Sequence, residues 1–418
     1  MARYAKHLWE RDYDGITKAA RMGGEYLSYE PDFLCGRDFL LSADTCSVLS
    51  EAERAIALFD AGSQALKSGE ALARLLLRAE AISSSRIEGL SIGARRLLRA
   101  ELDTTHPDSR AIAIMNNIDA MERALSLGTS APLTVDALCE VHAELMKDTE
   151  LADCGGRIRT TQNWLGGNDF NPIGAEYVPP APALVPDLLE DLVRFCNSSV
   201  LTPLSQAAVA HAQFETIHPF ADGNGRVGRA LVHIILHRRG LYDKAAPPIS
   251  LAIATQPKGY EHALAGFRHV GDASGNGARN GVNDLVSFFA ECSLAACADA
   301  QAFETQTAMI LASWHEKLGR KATAGEDAIM EAACGTPVFT AGRMVTLTGK
   351  SAPTVNAAIS SLTEAGIVRQ INAGRRNRAF EAPDIVAAFT GFERRLASPA
   401  GDTRIEPPVR PVPALPTA

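Results

Sequence analysis

Residues 218–229 concentrate side chains that could do chemistry: His218-Pro-Phe-Ala-Asp222-Gly223-Asn224-Gly225-Arg226-Val-Gly-Arg229. His218 is the natural general base, since its charge changes near neutral pH. Asp222 is a hard oxygen ligand of the kind Mg²⁺ takes while it also holds substrate phosphates. Gly223, Asn224 and Gly225 can alternate right- and left-handed backbone and turn successive amides toward an anion. Arg226 and Arg229 add planar, permanently charged forks for phosphate oxygens. Base, metal ligand and anion cradle together suit attack by a hydroxyl on a nucleotide phosphate.

The flanking residues supply the frame. Val209 to Ile217 reads as a helix that ends at His218, and Arg229 to His237 reads as an apolar, buried helix. The motif is therefore a loop between two helices, and its last residues open the second, where unpaired amides and a partial positive charge favour an anion. Phe220 is expected to be a buried plug, and His211 a hydrogen-bonded core histidine. Upstream, helical spacing runs from Ser47 to about Ser68 and from Gly69 to Ile87. The second helix closes on Ser84-Ser-Arg-Ile-Glu88-Gly89, with Ser84 and Glu88 on one face and Gly89 suited to a left-handed helix end. Alternation from Cys154 to Leu165, a Gly/Asn/Pro turn and a return to Pro180 predict a β-hairpin beside an otherwise helical body. A free strand edge there, Ile158, Arg159, Thr160, Thr161 and Gln162, could hold an extended peptide by main-chain pairing. Residues 271–281 read as a flexible loop.

The twelve-residue motif resembles the signature of the Fic (filamentation-induced-by-cAMP) family, His-Pro-Phe-x-[Asp/Glu]-Gly-Asn-Gly-Arg-x-x-Arg, at every fixed position. The resemblance implies a protein adenylyltransferase that moves AMP from ATP to a Ser, Thr or Tyr hydroxyl and releases pyrophosphate. It implies His218 as the base, Asp222 as the Mg²⁺ ligand, Gly223, Asn224 and Gly225 as the anion hole, and Arg226 and Arg229 as ligands of the terminal phosphates. The family's inhibitory helix, [Ser/Thr]-x-x-x-Glu-[Gly/Asn], is matched by Ser84, Glu88 and Gly89, which implies a carboxylate held against Arg229 in place of the γ-phosphate. A family flap that aligns the target segment over the histidine corresponds to the 158–162 edge, and Tyr260 is the candidate for the adenine pocket. Relatives that remove AMP or use another donor leave those reactions as alternatives.

The chain has 418 residues, 46% of them hydrophobic, enough for two or three domains. The reading is a mainly α protein: an N-terminal helical region (1–110) carrying the inhibitory helix, a Fic-type helical domain (111–300) with a β-hairpin flap, and a connecting helix (301–321). A small winged helix-turn-helix domain (322–392) and a disordered, proline-rich tail (393–418) follow. The wing is basic (Arg369, Arg375, Arg376, Arg378), which suits a phosphate backbone, and a nucleotide-sensing DNA-binding regulator is the rival reading. Helix 354–365 carries no Arg or Lys to read base edges, so docking or homodimer formation is favoured over DNA binding. Net charge is −8, with no global basic footprint, no apolar run long enough to cross a membrane and no signal-peptide core. The expected setting is cytoplasmic, with Mg²⁺ and ATP, and with a target protein or the chain itself as acceptor.

Overall fold

The computed structural model describes residues 1–14, 16–65, 69–90, 92–100, 109–127, 131–371 and 378–395. Its elements are mostly helices. In chain order they begin with strands β1 (Arg3–Trp9) and β2 (Gly24–Glu30) and helices α1 (Ala43–Ala65), α2 (Gly69–Ile87), α3 (Ala94–Ala100), α4 (Ser109–Ser126) and α5 (Val135–Met146). Next come α6 (Val185–Cys196), α7 (Pro203–Ile217), α8 (Asn224–Arg238), α9 (Ile249–Ile253), α10 (Pro257–Phe267) and α11 (Asn276–Leu318). The C-terminal part holds α12 (Ala324–Gly335), β3 (Val338–Thr340), α13 (Ala341–Thr348), α14 (Ala352–Glu364), β4 (Arg369–Gln370), β5 (Ala379–Glu381) and α15 (Pro383–Arg395). No helix among the described residues is long and apolar enough to cross a membrane. The chain divides into two compact units. One comprises 1–53, 119–240 and 258–291; the other comprises 54–118, 241–257 and 292–418.

In the first unit α7 and α8 pack along their lengths. Every α7 residue from Leu204 to Ile217 is buried, polar ones included. Its polar side chains are satisfied inside: Gln206 donates to Phe195 O at 2.7 Å and Gln213 to Asp32 O at 2.9 Å. Pro203 opens α7 where a missing amide hydrogen costs nothing. Strands β1 and β2 pair antiparallel from Arg3 with Glu30 to Trp9 with Gly24. These strands stand within the 1–110 region expected to be helical, and β1 alternates only between exposed and partly exposed positions, so its pattern carries no apolar face.

The segment from Cys154 to Pro180 keeps the antiparallel return predicted for it, but pairs at a single bridge, Leu165 with Tyr177, rather than along a ladder. Pro172, Pro179 and Pro180 have no amide hydrogen for a ladder, and side chains tie the arms instead. Residues 271–281 also differ from the expected loop. Asp272 Oδ1 accepts from Ser274 N at 2.9 Å and its carbonyl from Gly275 N at 3.0 Å, and this closed turn leads directly into α11.

In the second unit α2 packs against α9 and α12. Its buried Glu80 accepts from the Ser250 amide at 2.7 Å and from the Ser250 hydroxyl. Helices α12, α13 and α14 stand with a three-stranded sheet of order β3-β5-β4, and α12 starts on a capping box between Thr323 and Glu326. Trp314 of α11 is fully buried and donates to Asp384 at 2.9 Å. Arg375, Arg376 and the chain beyond 395 lie outside the described residues.

Candidate active site

Helix α7 ends at Ile217, and His218 takes left-handed backbone (φ 51°, ψ 61°) as its C-cap. For a residue with a Cβ that conformation costs about 1 kcal/mol, and His218 is one of two such non-glycine residues among those described. Its side chain is 14% exposed, and Nδ1 lies 3.8 Å from Glu215 Oε2, one turn back on α7.

Phe220 is buried, as the sequence predicts, and stacks face to face on His142 of α5 with ring centroids 3.8 Å apart. Asn224 closes the loop from the other side: its Oδ1 accepts from Phe220 N at 2.8 Å and its Nδ2 donates to Phe220 O at 2.9 Å. Gly223 is the N-cap of α8 at φ 77°, so the backbone favours glycine, and a Cβ there would also displace the end of the Met146 side chain, 2.5 Å away. No side chain caps α8, which leaves its first amides to meet an anion. Arg226 and Arg229, 5% and 2% exposed, rise from the first two turns. Arg226 donates to Asp222 Oδ2 at 3.1 Å, and the Asp222 side chain is 54% exposed. Arg229 Nη1 lies 3.5 Å from Tyr260 Oη, which also bonds His211 Nε2 at 2.7 Å. The Tyr260 hydroxyl thus meets two other buried side chains, and His211 is the core histidine anticipated for it.

His142 is a residue that pattern reading missed. Gly156 N donates to its Nδ1 at 3.0 Å, so the ring proton sits on Nε2 and is donated to Asp222 O at 3.0 Å. Burial pushes its pKa down to about 4, so it is neutral at physiological pH. In the 158–162 edge, Thr160 and Thr161 are exposed, whereas Arg159 is buried with its guanidinium turned toward the motif. Burial pushes the pKa of that guanidinium down to about 10. In the second unit Ser84 is buried, and Glu88 is an exposed residue in the turn just past α2. Gly89 takes the left-handed position anticipated for it, at φ 77°.

An uncapped helix start flanked by a histidine and a carboxylate is an arrangement suited to an anion. Residues 132–236 match the Fic/DOC family and residues 46–126 match the Fic/DOC family N-terminal region. Protein adenylyltransferase fic-1 of Caenorhabditis elegans is 35% identical over 131 residues, 31% of this chain and 23% of that protein. Protein adenylyltransferase Fic of Drosophila melanogaster is 30% identical over 193 residues, 44% of this chain and 34% of its own. This chain therefore spans 23–34% of the length of those curated relatives. The crystal structure of a Fic family protein from Desulfovibrio desulfuricans G20 shares the fold, at a TM-score of 0.53 and 19% identity, covering 82% of this chain and 97% of that one. The likeness to the Fic/DOC family thus covers residues 46–126 and 132–236.

Proposed function

We propose that the protein transfers AMP from ATP to a Ser, Thr or Tyr hydroxyl of a protein, itself included, in the cytoplasm. The observation that carries this reading is the left-handed His218 set beside the start of α8, with Arg226 and Arg229 in that helix's first two turns. His218 takes the hydroxyl proton as the oxygen bonds to the α-phosphorus. The bond from that phosphorus to the bridging oxygen breaks, and pyrophosphate departs against the α8 amides and the two guanidinium groups. Asp222 is fitted to hold Mg²⁺: its side chain is half exposed, and one carboxylate with phosphate oxygens and water meets that ion's preference. Bound there, the ion would offset phosphate charge. Tyr260 is read as part of the adenine side.

Glu88 is read as the restraint on this activity, with Ser84 in the helix that carries it; their spacing and the glycine-closed turn support that role. Residues 322–392 are read as a winged-helix docking or dimer-forming module. Arg369 spends its charge on Glu381 at 2.6 Å, and Arg378 reaches Asn356 at 3.5 Å, which favours docking over DNA binding. The test is incubation of wild type, Glu88→Gly and His218→Ala with Mg²⁺ and α-labelled ATP, followed by intact mass. A gain of one AMP, larger in Glu88→Gly and missing in His218→Ala, is expected. No gain in wild type or Glu88→Gly while ATP still binds would overturn the reading.

A further inference from the structure

The last carbonyls of a helix have no partner within it. At the end of α7, five consecutive carbonyls, Thr216 to Phe220, accept hydrogen bonds from one other stretch of chain. Tyr177 Oη donates to Thr216 O at 2.6 Å and Arg159 Nη2 to Ile217 O at 3.3 Å. Arg159 Nε donates to His218 O at 2.9 Å and Arg159 N to Pro219 O at 2.9 Å. Asn163 Nδ2 serves His218 O at 3.3 Å and Phe220 O at 3.0 Å. The same guanidinium also joins the two arms of its own segment, at Thr161 O (3.2 Å) and Pro180 O (2.6 Å).

We infer that Arg159 is a positioning residue for the base: through the peptide of His218 it holds that residue in left-handed backbone and so fixes where the imidazole stands. The inference rests on His218 being the base. A strained conformation at a functional residue persists only where its surroundings over-determine it, and here the surroundings are a buried fork reaching four carbonyls of three separate stretches. A lysine ammonium is a compact point charge and cannot span that fork. The anion side is mounted independently, by Asn224 on Phe220 and by Gly223 against Met146. Loss of the fork therefore misplaces the base and leaves the nucleotide cradle in place. The segment read as the target's docking edge is also the mount of the base, so the hydroxyl and the group that deprotonates it are registered on one piece of chain.

The test is Arg159→Lys in the full chain, read three ways: amide hydrogen exchange across 214–222, kcat of automodification with Mg²⁺ and ATP, and Kd for ATP. Faster exchange at His218 is expected, with kcat down ~100-fold and ATP affinity held within about threefold. Folded Arg159→Lys protein with wild-type exchange at the His218 amide would overturn the inference, as would equal losses in kcat and ATP binding. Should Arg159→Lys not fold, Asn163→Ala removes donors to His218 O and Phe220 O and is read by the same three measurements, with a kcat loss of about tenfold expected. Exchange that quickens in the variant while wild type transfers no AMP would defeat the proposed reaction and leave the mount standing.

Discussion

Two helix ends in this protein carry a titratable residue at a left-handed turn, and they are built in opposite ways. At the end of α2, beside Glu88, Gly89 takes φ 77°, its amide donates to Arg86 O at 2.9 Å and the Leu90 amide to Ser85 O at 3.0 Å. That end closes on itself, with glycine where glycine is unstrained. At the end of α7 the left-handed position is occupied by His218, and the carbonyls are served by Arg159, Asn163 and Tyr177. A self-closed end can be formed by half a dozen residues. A borrowed end fixes its functional side chain only if a distant segment has folded onto it.

The largest effect should come from a buried, charged long-range tie of the self-closed end. Arg86 and Glu393 of α15 pair at 2.6 Å with side chains 5% and 1% exposed. Arg86→Met leaves a buried carboxylate without its guanidinium and should cost about 3 kcal/mol by denaturant unfolding. Arg86→Met with Glu393→Leu should recover most of that loss; no recovery would mean that the pair is not what anchors α2. The borrowed end should instead respond to pH through His142. Its folded pKa of about 4 lies below the ordinary 6.5, so between those values the unfolded chain binds a proton that the folded one does not. Stability should be flat above pH 6.5 and fall as pH drops toward 4, by up to roughly 3 kcal/mol. His142→Gln should flatten that slope, and an unchanged slope would assign it to other groups. A smaller change is expected at Gly89, where an added Cβ meets nothing within 4 Å. Gly89→Ala should cost about 1 kcal/mol, all of it backbone.

The same contrast explains what was legible in the sequence. Gly89 could be placed because the glycine stands in the helix it ends, and the 218–229 motif because its chemistry is contiguous. Phe220 followed from being the one large apolar residue in that loop. His142, Arg159, Asn163 and Tyr177 were not legible as supports, because each acts through carbonyls 39 to 80 residues away. Arg159 in particular has the residue type of a surface or docking side chain, and only the fold turns it inward. The pairing of the 154–180 segment failed to follow its alternation for a related reason. Its prolines remove ladder donors, and side-chain bonds from Gln162 to Pro179 O and from Arg159 to Pro180 O, which leave no periodic trace, replace the ladder.

The finest test of the comparison separates backbone from imidazole at the borrowed end. His218→Ala and His218→Gly both remove the proposed base, so both should lose the proposed AMP transfer, and neither retains the side chain. They differ in what the left-handed turn demands. Alanine keeps the Cβ clash that makes φ 51° costly, while glycine relieves it. His218→Gly should therefore unfold at higher denaturant than His218→Ala, by about 1 kcal/mol, in the opposite sense to the effect of exchanging the same two residues at an ordinary helix position. Equal stabilities would mean that the turn relaxes once the imidazole is gone, and that the donors from 159–177 do not hold the backbone by themselves. A glycine advantage would mean that the turn persists without its histidine, so that the strain at residue 218 goes with its proposed role as base and not with a lack of easier ways to end α7.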